Sequence, residues 1–125
     1  MTTKLNQTVA EIKADNLFYA NDPAANTDGA VIASGQGKLA RGTALAKNDS
    51  GKYVILGTEK SAGVTFAADA VLTDAIDATS ADTSAVIYRT GHFNAGALIV
   101  KTGYTLTDAD KDSFRAKGIL LSTAN

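Results

Sequence analysis

The sequence contains no cysteine and no tryptophan, and its 125 residues include one proline, one methionine and one histidine. Without cysteine the chain has no disulfides, no thiolate nucleophile and no zinc–thiolate site. Stabilisation must therefore come from packing and from assembly.

An excess of charge of either sign is also missing, since 12 basic and 13 acidic residues leave a formal net charge of −1. No basic run is interleaved with aromatic residues, and affinity for phosphate depends on clustered positive charge, so we expect no nucleic-acid partner. No apolar stretch approaches about 18 residues, and the N-terminus lacks a charged and then apolar signal. We therefore expect the chain to be soluble, to have no membrane partner, and not to be exported by means of a signal peptide.

Large apolar side chains are scarce. The hydrophobic fraction is 45%, but Val, Ile, Leu and Phe together account for only 28 of the 125 residues. The length suits a single domain, and a monomer of this size buries only about two-thirds of its unfolded surface. Because the core is thin, association between subunits is a plausible source of additional burial.

Residues 85–100 carry the clearest strand pattern in the chain. Val86, Tyr88 and Thr90 alternate with Ile87 and Arg89, a period of two that is typical of a strand with one buried face. Gly91 predicts a break, after which extended chain resumes at 92–93, and the apolar run 97–100 predicts a second short strand.

Other short segments also predict strands. Residues 39–47 and 52–56 flank the turn-forming sequence 48–51 and predict a β-hairpin. Further strand candidates are 30–34, 63–68, 70–76 and 119–121. Strands at this spacing, separated by Gly, Asp and Ser, favour a mainly β fold, either a bent ribbon or a small incomplete barrel.

One helix is predicted, over residues 108–117. Thr107 can cap its N-terminus, aspartates occupy the first turn, and Gly118 stands where a left-handed C-terminal cap is favoured. Leu106, Ala109 and Phe114 supply a narrow apolar stripe. The fold is therefore expected to have one short C-terminal helix.

The first 29 residues are polar and Asn/Ala-rich, with few apolar anchors and a turn signal at Asn21-Asp22-Pro23. We interpret residues 1–29 as an extended N-terminal arm and residues 30–125 as a β-rich domain. Such an arm can add a strand to an exposed sheet edge of a partner. The expected partner-contact residues are Val9, Ala10, Glu11, Ile12, Lys13, Asn16, Leu17, Phe18 and Tyr19.

Motifs for catalysis or ligand binding are incomplete. Gly35, Gly37 and Gly42 resemble a phosphate loop, but Thr43 replaces the lysine that should follow. The spacing of Asp108, Asp110 and Asp112 matches the first half of a calcium loop, yet Ser113 and Ile119 occupy the positions of the required Gly and Glu. We expect no cofactor or metal site.

Two further sets of side chains are candidate sites. The carboxylates of Asp69, Asp74, Asp77 and Asp82 are better explained as solvated turn residues than as cation ligands. His92, the only histidine, has no nucleophile motif beside it, so with Phe93 it is better explained by packing or by a subunit interface.

Four blocks of the sequence together carry a resemblance: residues 33–47, 51–54, 86–94 and 114–119. In order and spacing they resemble the head decoration proteins of tailed bacteriophages, the group typified by the lambda decoration protein D. The resemblance implies a β-clip or tulip-like fold that assembles as a homotrimer and is neither an enzyme nor a cofactor binder.

The resemblance also implies a location and a partner. Family members lie on the outer surface of the expanded capsid at three-fold and quasi-three-fold positions in the virion, after synthesis in the host cytoplasm. They contact the major capsid protein and reinforce the shell against internal DNA pressure. We place the expected subunit interface at Tyr88, Arg89, His92 and Phe93.

Two other classes of function stay open. A trimeric β-clip nucleotide hydrolase of the dUTP-hydrolysing kind would share the architecture, but it needs a glycine-rich tail, and residues 121–125 contain no glycine. A fibre or adhesin module that binds glycans would need exposed aromatic residues, for which Tyr53, Tyr88 and Tyr104 are the candidates.

Overall fold

The structure is a computed structural model, and it describes residues 17–20 and 24–122. The predicted contacts at Val9, Ala10, Glu11, Ile12, Lys13 and Asn16 lie outside the described residues. The elements are β1 (Phe18–Ala20), β2 (Asn26–Ile32), β3 (Gly37–Leu39), β4 (Ala44–Lys47), β5 (Tyr53–Ile55), β6 (Glu59–Ser61), β7 (Val64–Thr65), β8 (Ala68–Leu72), β9 (Ile76–Ala78), β10 (Thr83–Asn94), α1 (Asp108–Ala116) and β11 (Ile119–Ser122). The mainly β fold with one short C-terminal helix is confirmed.

Five strands form an incomplete barrel. Backbone pairing runs from β10 to β2, β5, β4 and β8, and β8 pairs with β10 again. The closure is thin at two places: β2 meets β5 through the single parallel pair of Ile32 with Tyr53, and β8 meets β10 through two residue pairs. The smaller pairs β3–β9 and β6–β7 lie outside this ring.

Strand β10 is the backbone element that connects most of the fold. It pairs antiparallel with β1, β2 and β8 and parallel with β11. The predicted break at Gly91 is wrong in one respect, because the strand continues through this residue and pairs it with Ile119. Gly91 has φ +152, and a Cβ there would lie 2.8 Å from the ring of Phe93. Glycine is therefore needed for close packing within one long strand.

The core is divided between two faces of the central strands. On β4, Ala44 and Ala46 pack into a cluster with Phe93, Phe114 and Leu17, whereas the residue between them, Leu45, packs into a second cluster. Ile32, Tyr53 and Ile87 belong to that second cluster. Residues of β4 and β8 are thus buried on both faces, and alanine on these strands lets two layers pack closely.

Helix α1 begins and ends nearly as predicted. Thr107 accepts a hydrogen bond from the N–H of Asp110, and the Asp110 carboxylate accepts one from the N–H of Thr107, which completes a capping box. Gly118 follows the C-terminus with φ +94. Phe114 is buried as predicted, but Ala109 is exposed, so its assignment to the apolar stripe is wrong.

Among the described residues, no helix has the length and apolar character needed to span a membrane.

The strand predictions were partly right. The hairpin of β4 and β5 around residues 48–51 is confirmed, with the Asn48 side chain accepting hydrogen bonds from the N–H groups of Ser50 and Lys52. Segment 39–47 is interrupted, because the backbone turns at Gly42 (φ +90) and separates β3 from β4.

Other strands also have boundaries that differ from the predicted ones. Segment 30–34 begins earlier, at Asn26, and segment 119–121 extends to Ser122 as β11. Segments 63–68 and 70–76 are divided differently, into β7, β8 and the first residue of β9.

The predicted strand at 97–100 is wrong. Residues Ala95–Ala97 form a 3-10 turn, and Ile99 makes only an isolated bridge with Thr43. The Asn94 side chain accepts a hydrogen bond from the N–H of Gly96, which favours a turn over continued extended chain.

Candidate interaction surface

The four predicted interface residues lie on β10, but their side chains have different surroundings. Tyr88 and Phe93 join an aromatic group with Phe18 of β1, with ring centroids 4.9 to 5.5 Å apart. Phe93 is fully buried within the chain, so its side chain supports the surface from beneath. Tyr88, Arg89 and His92 are partly exposed.

Arg41 holds the aromatic group to the rest of the domain. Its guanidinium donates hydrogen bonds to the Tyr88 hydroxyl (2.8 Å) and to the Thr73 carbonyl (3.0 Å). The same group lies 6.0 Å from the Phe18 ring centroid and 5.7 Å from that of Tyr88, within the range of cation–π attraction. Arg41 therefore fixes Phe18 of β1 against β10.

The predicted arm residues that the structure describes are anchored on β10. Leu17 is 2% exposed, and its carbonyl accepts a hydrogen bond from the N–H of Asn94. Phe18 and Ala20 pair with Phe93 and His92. Tyr19, in contrast, is 49% exposed, so it is the one of these four residues with a large accessible side chain.

His92 has a hydroxyl partner that the sequence did not indicate. Its Nε2 lies 2.8 Å from the Ser122 Oγ, and its ring lies 4.8 Å from the ring of Tyr19. The partner is supplied by β11, which pairs parallel to β10 with Asn94 opposite Ser122. Parallel pairing between segments 30 residues apart has no local sequence signal, which is why Ser122 was missed.

A buried carboxylate lies at a bulge in β8. Ala68 and Ala70 pair with Ala46 and Leu45, so Asp69 is an extra residue between them. Asp69 is 6% exposed and accepts a hydrogen bond from the Tyr53 hydroxyl (2.9 Å). The Arg89 Nη1 donates to the same Tyr53 hydroxyl at 2.8 Å. Three strands, β5, β8 and β10, therefore meet at one polar network.

Three cations surround this network. Arg89 Nη1 lies 3.7 Å from one Asp69 oxygen, and Lys117 Nζ lies 3.4 Å from the other. Lys47 Nζ lies 5.9 Å from the Tyr53 ring centroid. We name Lys47, Arg89 and Lys117 the basic patch. Two of its positive charges lie beside the Asp69 carboxylate, and the third lies over the Tyr53 ring.

Tyr53 stays protonated in this setting. Burial raises the pKa of Tyr53 to about 12, and the hydrogen bond to the Asp69 carboxylate acts in the same direction. The hydroxyl therefore remains a donor to Asp69 across the physiological range, and it contributes no negative charge to the basic patch.

The incomplete motifs have structural roles. The N–H groups of Gly35 and Gln36 donate to the Ala78 carbonyl, so they are occupied in a turn. Asp110 caps α1, and its carboxylate accepts a hydrogen bond from the Tyr104 hydroxyl. No group of three His, Asp or Glu side chains suited to a metal ion occurs within residues 17–20 and 24–122.

The turn carboxylates have separate local partners. Asp77 accepts hydrogen bonds from the hydroxyl and N–H of Thr79, and these bonds lower the pKa of its carboxyl group. Asp82 pairs with Lys52 at 2.6 Å and accepts from the N–H of Ser34, and its pKa is lowered for these reasons. Both carboxylates therefore stabilise turns.

The tyrosines considered for glycan binding are engaged within the chain. Tyr53 is buried, and its hydroxyl donates to Asp69. The Tyr88 hydroxyl accepts from Arg41, and the Tyr104 hydroxyl donates to Asp110. None of these three rings forms an exposed aromatic platform.

Comparison with known proteins gives one finding. A family model described as bacteriophage lambda head decoration protein D matches residues 6–121. The search of curated proteins found no match.

Proposed function

Because the chain belongs to the family of bacteriophage lambda head decoration protein D, we propose that it binds the outer surface of the expanded phage head as homotrimers. Membership makes it a structural protein of the bacteriophage head that associates with the capsid. The proposal adds the partner, the major capsid protein, the three-fold and quasi-three-fold positions, and stabilisation of the shell against internal DNA pressure.

The observation that carries the proposal is the extent of the family match, which covers most of the predicted arm and nearly all of the β-rich domain. The thin core supports assembly, since contacts between copies would bury apolar surface that a single chain leaves exposed. Val31 and Val86 are 38% and 48% exposed on neighbouring strands β2 and β10. Three linked copies of a modest contact would gain affinity through effective concentration.

The arm is proposed to contact the major capsid protein, while Tyr88, Arg89 and His92 lie at the subunit interface with Phe93 beneath them. Leu17 and Phe18 already pack on β10, so they serve as the base of the arm. The proposed contact residues are then Tyr19, which is exposed, and the predicted residues of the segment before Leu17. The chain is made in the host cytoplasm and joins the virion there.

The arm proposal is tested by deleting residues 2–16, which keeps the buried Leu17 and the stacked Phe18. We expect occupancy of expanded heads to fall at least tenfold, measured by co-sedimentation with heads of the same phage. The full-length variant Val9→Ser/Ile12→Ser keeps the length of the arm and should also bind more weakly.

The control is wild-type protein on the same heads, with folding of each variant checked by circular dichroism. Undiminished occupancy by the deletion variant would remove the arm from the mechanism. Absence of wild-type binding, or heads that gain no resistance to heat after binding, would contradict the decoration function itself.

A further inference from the structure

The basic patch carries more positive charge than its internal partner can neutralise. Lys47, Arg89 and Lys117 come from β4, β10 and the C-terminal cap of α1, and Asp69 is the one carboxylate that the network contains. Arg89 and Lys117 side chains are 43% and 53% exposed, whereas the Asp69 side chain is 7% exposed. The positive charge therefore faces outward, and the negative charge lies beneath it.

The geometry leaves donors available for another acceptor. Charge-assisted N–H···O bonds have lengths of about 2.7–2.9 Å, and the cations here lie 3.4 and 3.7 Å from the Asp69 oxygens. Asp69 thus orients the two side chains without using all of their N–H groups. Arg89 donates one hydrogen bond to Tyr53, and a guanidinium has five N–H groups.

The chemistry of the patch suits carboxylates better than a nucleic acid. The aromatic ring beneath Lys47 belongs to Tyr53, which is 3% exposed and so offers no face for a base to stack on. A patch of three cations and one buried carboxylate also carries less net positive charge than a phosphate backbone track requires. A protein surface that presents one or two carboxylates matches the patch.

We infer that the basic patch docks onto carboxylates of a second copy of this chain. The inference rests on the proposed function, because it assigns a contact within the proposed trimer. Arg89 is itself one of the proposed interface residues on β10, so the patch includes part of the proposed subunit interface. Acceptors exist on the same chain: Asp74, Asp77, Asp108 and Asp112 are exposed.

A patch of one sign that meets a patch of the other sign on the next copy is a head-to-tail contact. Such contacts close into a ring when the rotation between copies is 120°, which is the geometry of a cyclic trimer. Desolvated charge pairs at interfaces fix register and exclude wrong arrangements. The patch would therefore set which faces of the copies meet.

The test compares two double variants with equal change in net charge. Lys47→Gln/Lys117→Gln removes charge from the patch, and Lys38→Gln/Lys60→Gln removes the same charge from exposed lysines on β3 and β6. Sedimentation equilibrium gives the dissociation constant of the trimer, and chemical cross-linking of chains bound to heads gives the same comparison if trimers form only there. We expect at least a tenfold increase for the patch variant and less than threefold for the control, with the wild-type constant rising with salt.

The outcomes separate the inference from the function it rests on. If the wild-type chain is a trimer and the patch variant associates equally well, the inference is overturned but the proposed function is not. A patch variant that stays trimeric but no longer binds heads would show that the patch contacts carboxylates of the capsid protein. Wild-type binding to a DNA oligonucleotide that the patch variant loses would show that the patch contacts phosphates. Either result would overturn the inference. Wild-type chains that are monomeric, in solution and on heads, would overturn the trimer as well.

Discussion

At the scale of single residues, Gly51 and Gly57 share a left-handed backbone but differ in their surroundings. Gly51 has φ +82, and a Cβ there would meet nothing within 4 Å. Gly57 has φ +109, and a Cβ would lie 2.8 Å from Tyr104 Cβ and 2.9 Å from Lys101 Cβ. The first position requires only conformational freedom, whereas the second also requires the absence of a side chain.

We therefore predict that Gly57→Ala destabilises the chain more than Gly51→Ala. A left-handed conformation costs a non-glycine residue about 1–2 kcal/mol at both positions, and forced overpacking adds about 1–3 kcal/mol at position 57. Urea denaturation of both variants gives the difference in the free energy of unfolding. Equal destabilisation would mean that the segment at Tyr104 moves aside at no cost.

Single residues were also the hardest to assign from sequence. The sequence predicts that Asp69 is a solvated turn residue, and this prediction is wrong: Asp69 is a buried member of β8, because a bulge inserts it between two paired alanines. Bulges depend on the partner strand and leave no fixed local pattern. Phe93 and His92 are adjacent in sequence, yet one is core and the other surface.

At the scale of elements, α1 was predictable because its signals are local. Thr107, the aspartates of the first turn and Gly118 all act within one helical turn of an end. The hairpin of β4 and β5 was predictable for the same reason, since Asn48 binds its own turn. Segment 97–100 was not, because its apolar residues serve packing and one isolated bridge rather than a ladder.

The capping box gives a prediction for α1. Thr107→Ala removes the side-chain oxygen that accepts from the N–H of Asp110, and loss of such a cap costs about 1 kcal/mol. Thermal unfolding followed by circular dichroism measures the effect. Thr105→Ala, at an exposed position just before the cap, is the matched control and should change stability by less than about 0.5 kcal/mol. Equal effects would exclude the cap as the cause.

At the scale of the whole molecule, the strand spacing predicts the mainly β class, but it does not predict how five of the strands pair into a ring. Closure depends on β8 returning to β10 and on one pair between Ile32 and Tyr53. These are long-range pairings that a single sequence does not specify. The resemblance of the four sequence blocks predicts the family. Neither this resemblance nor the hydrophobic pattern predicts the basic patch, because Lys47, Arg89 and Lys117 come together only in the fold.

The proposed trimer predicts a concentration-dependent melting temperature. If folding is coupled to association, a hundredfold increase in chain concentration should raise the midpoint by about 5 °C. Differential scanning calorimetry at several concentrations measures this shift. A midpoint independent of concentration would show that the single chain accounts for all of the stability.

The anchoring of β1 has a mechanical consequence. Tension applied to the chain ahead of Leu17 would enter the domain at a buried side chain and at hydrogen bonds to β10. Since β10 is also paired with β2, β8 and β11, the load would be shared between β10 and these three strands. Tension on the arm is thus resisted by all the strands that pair with β10.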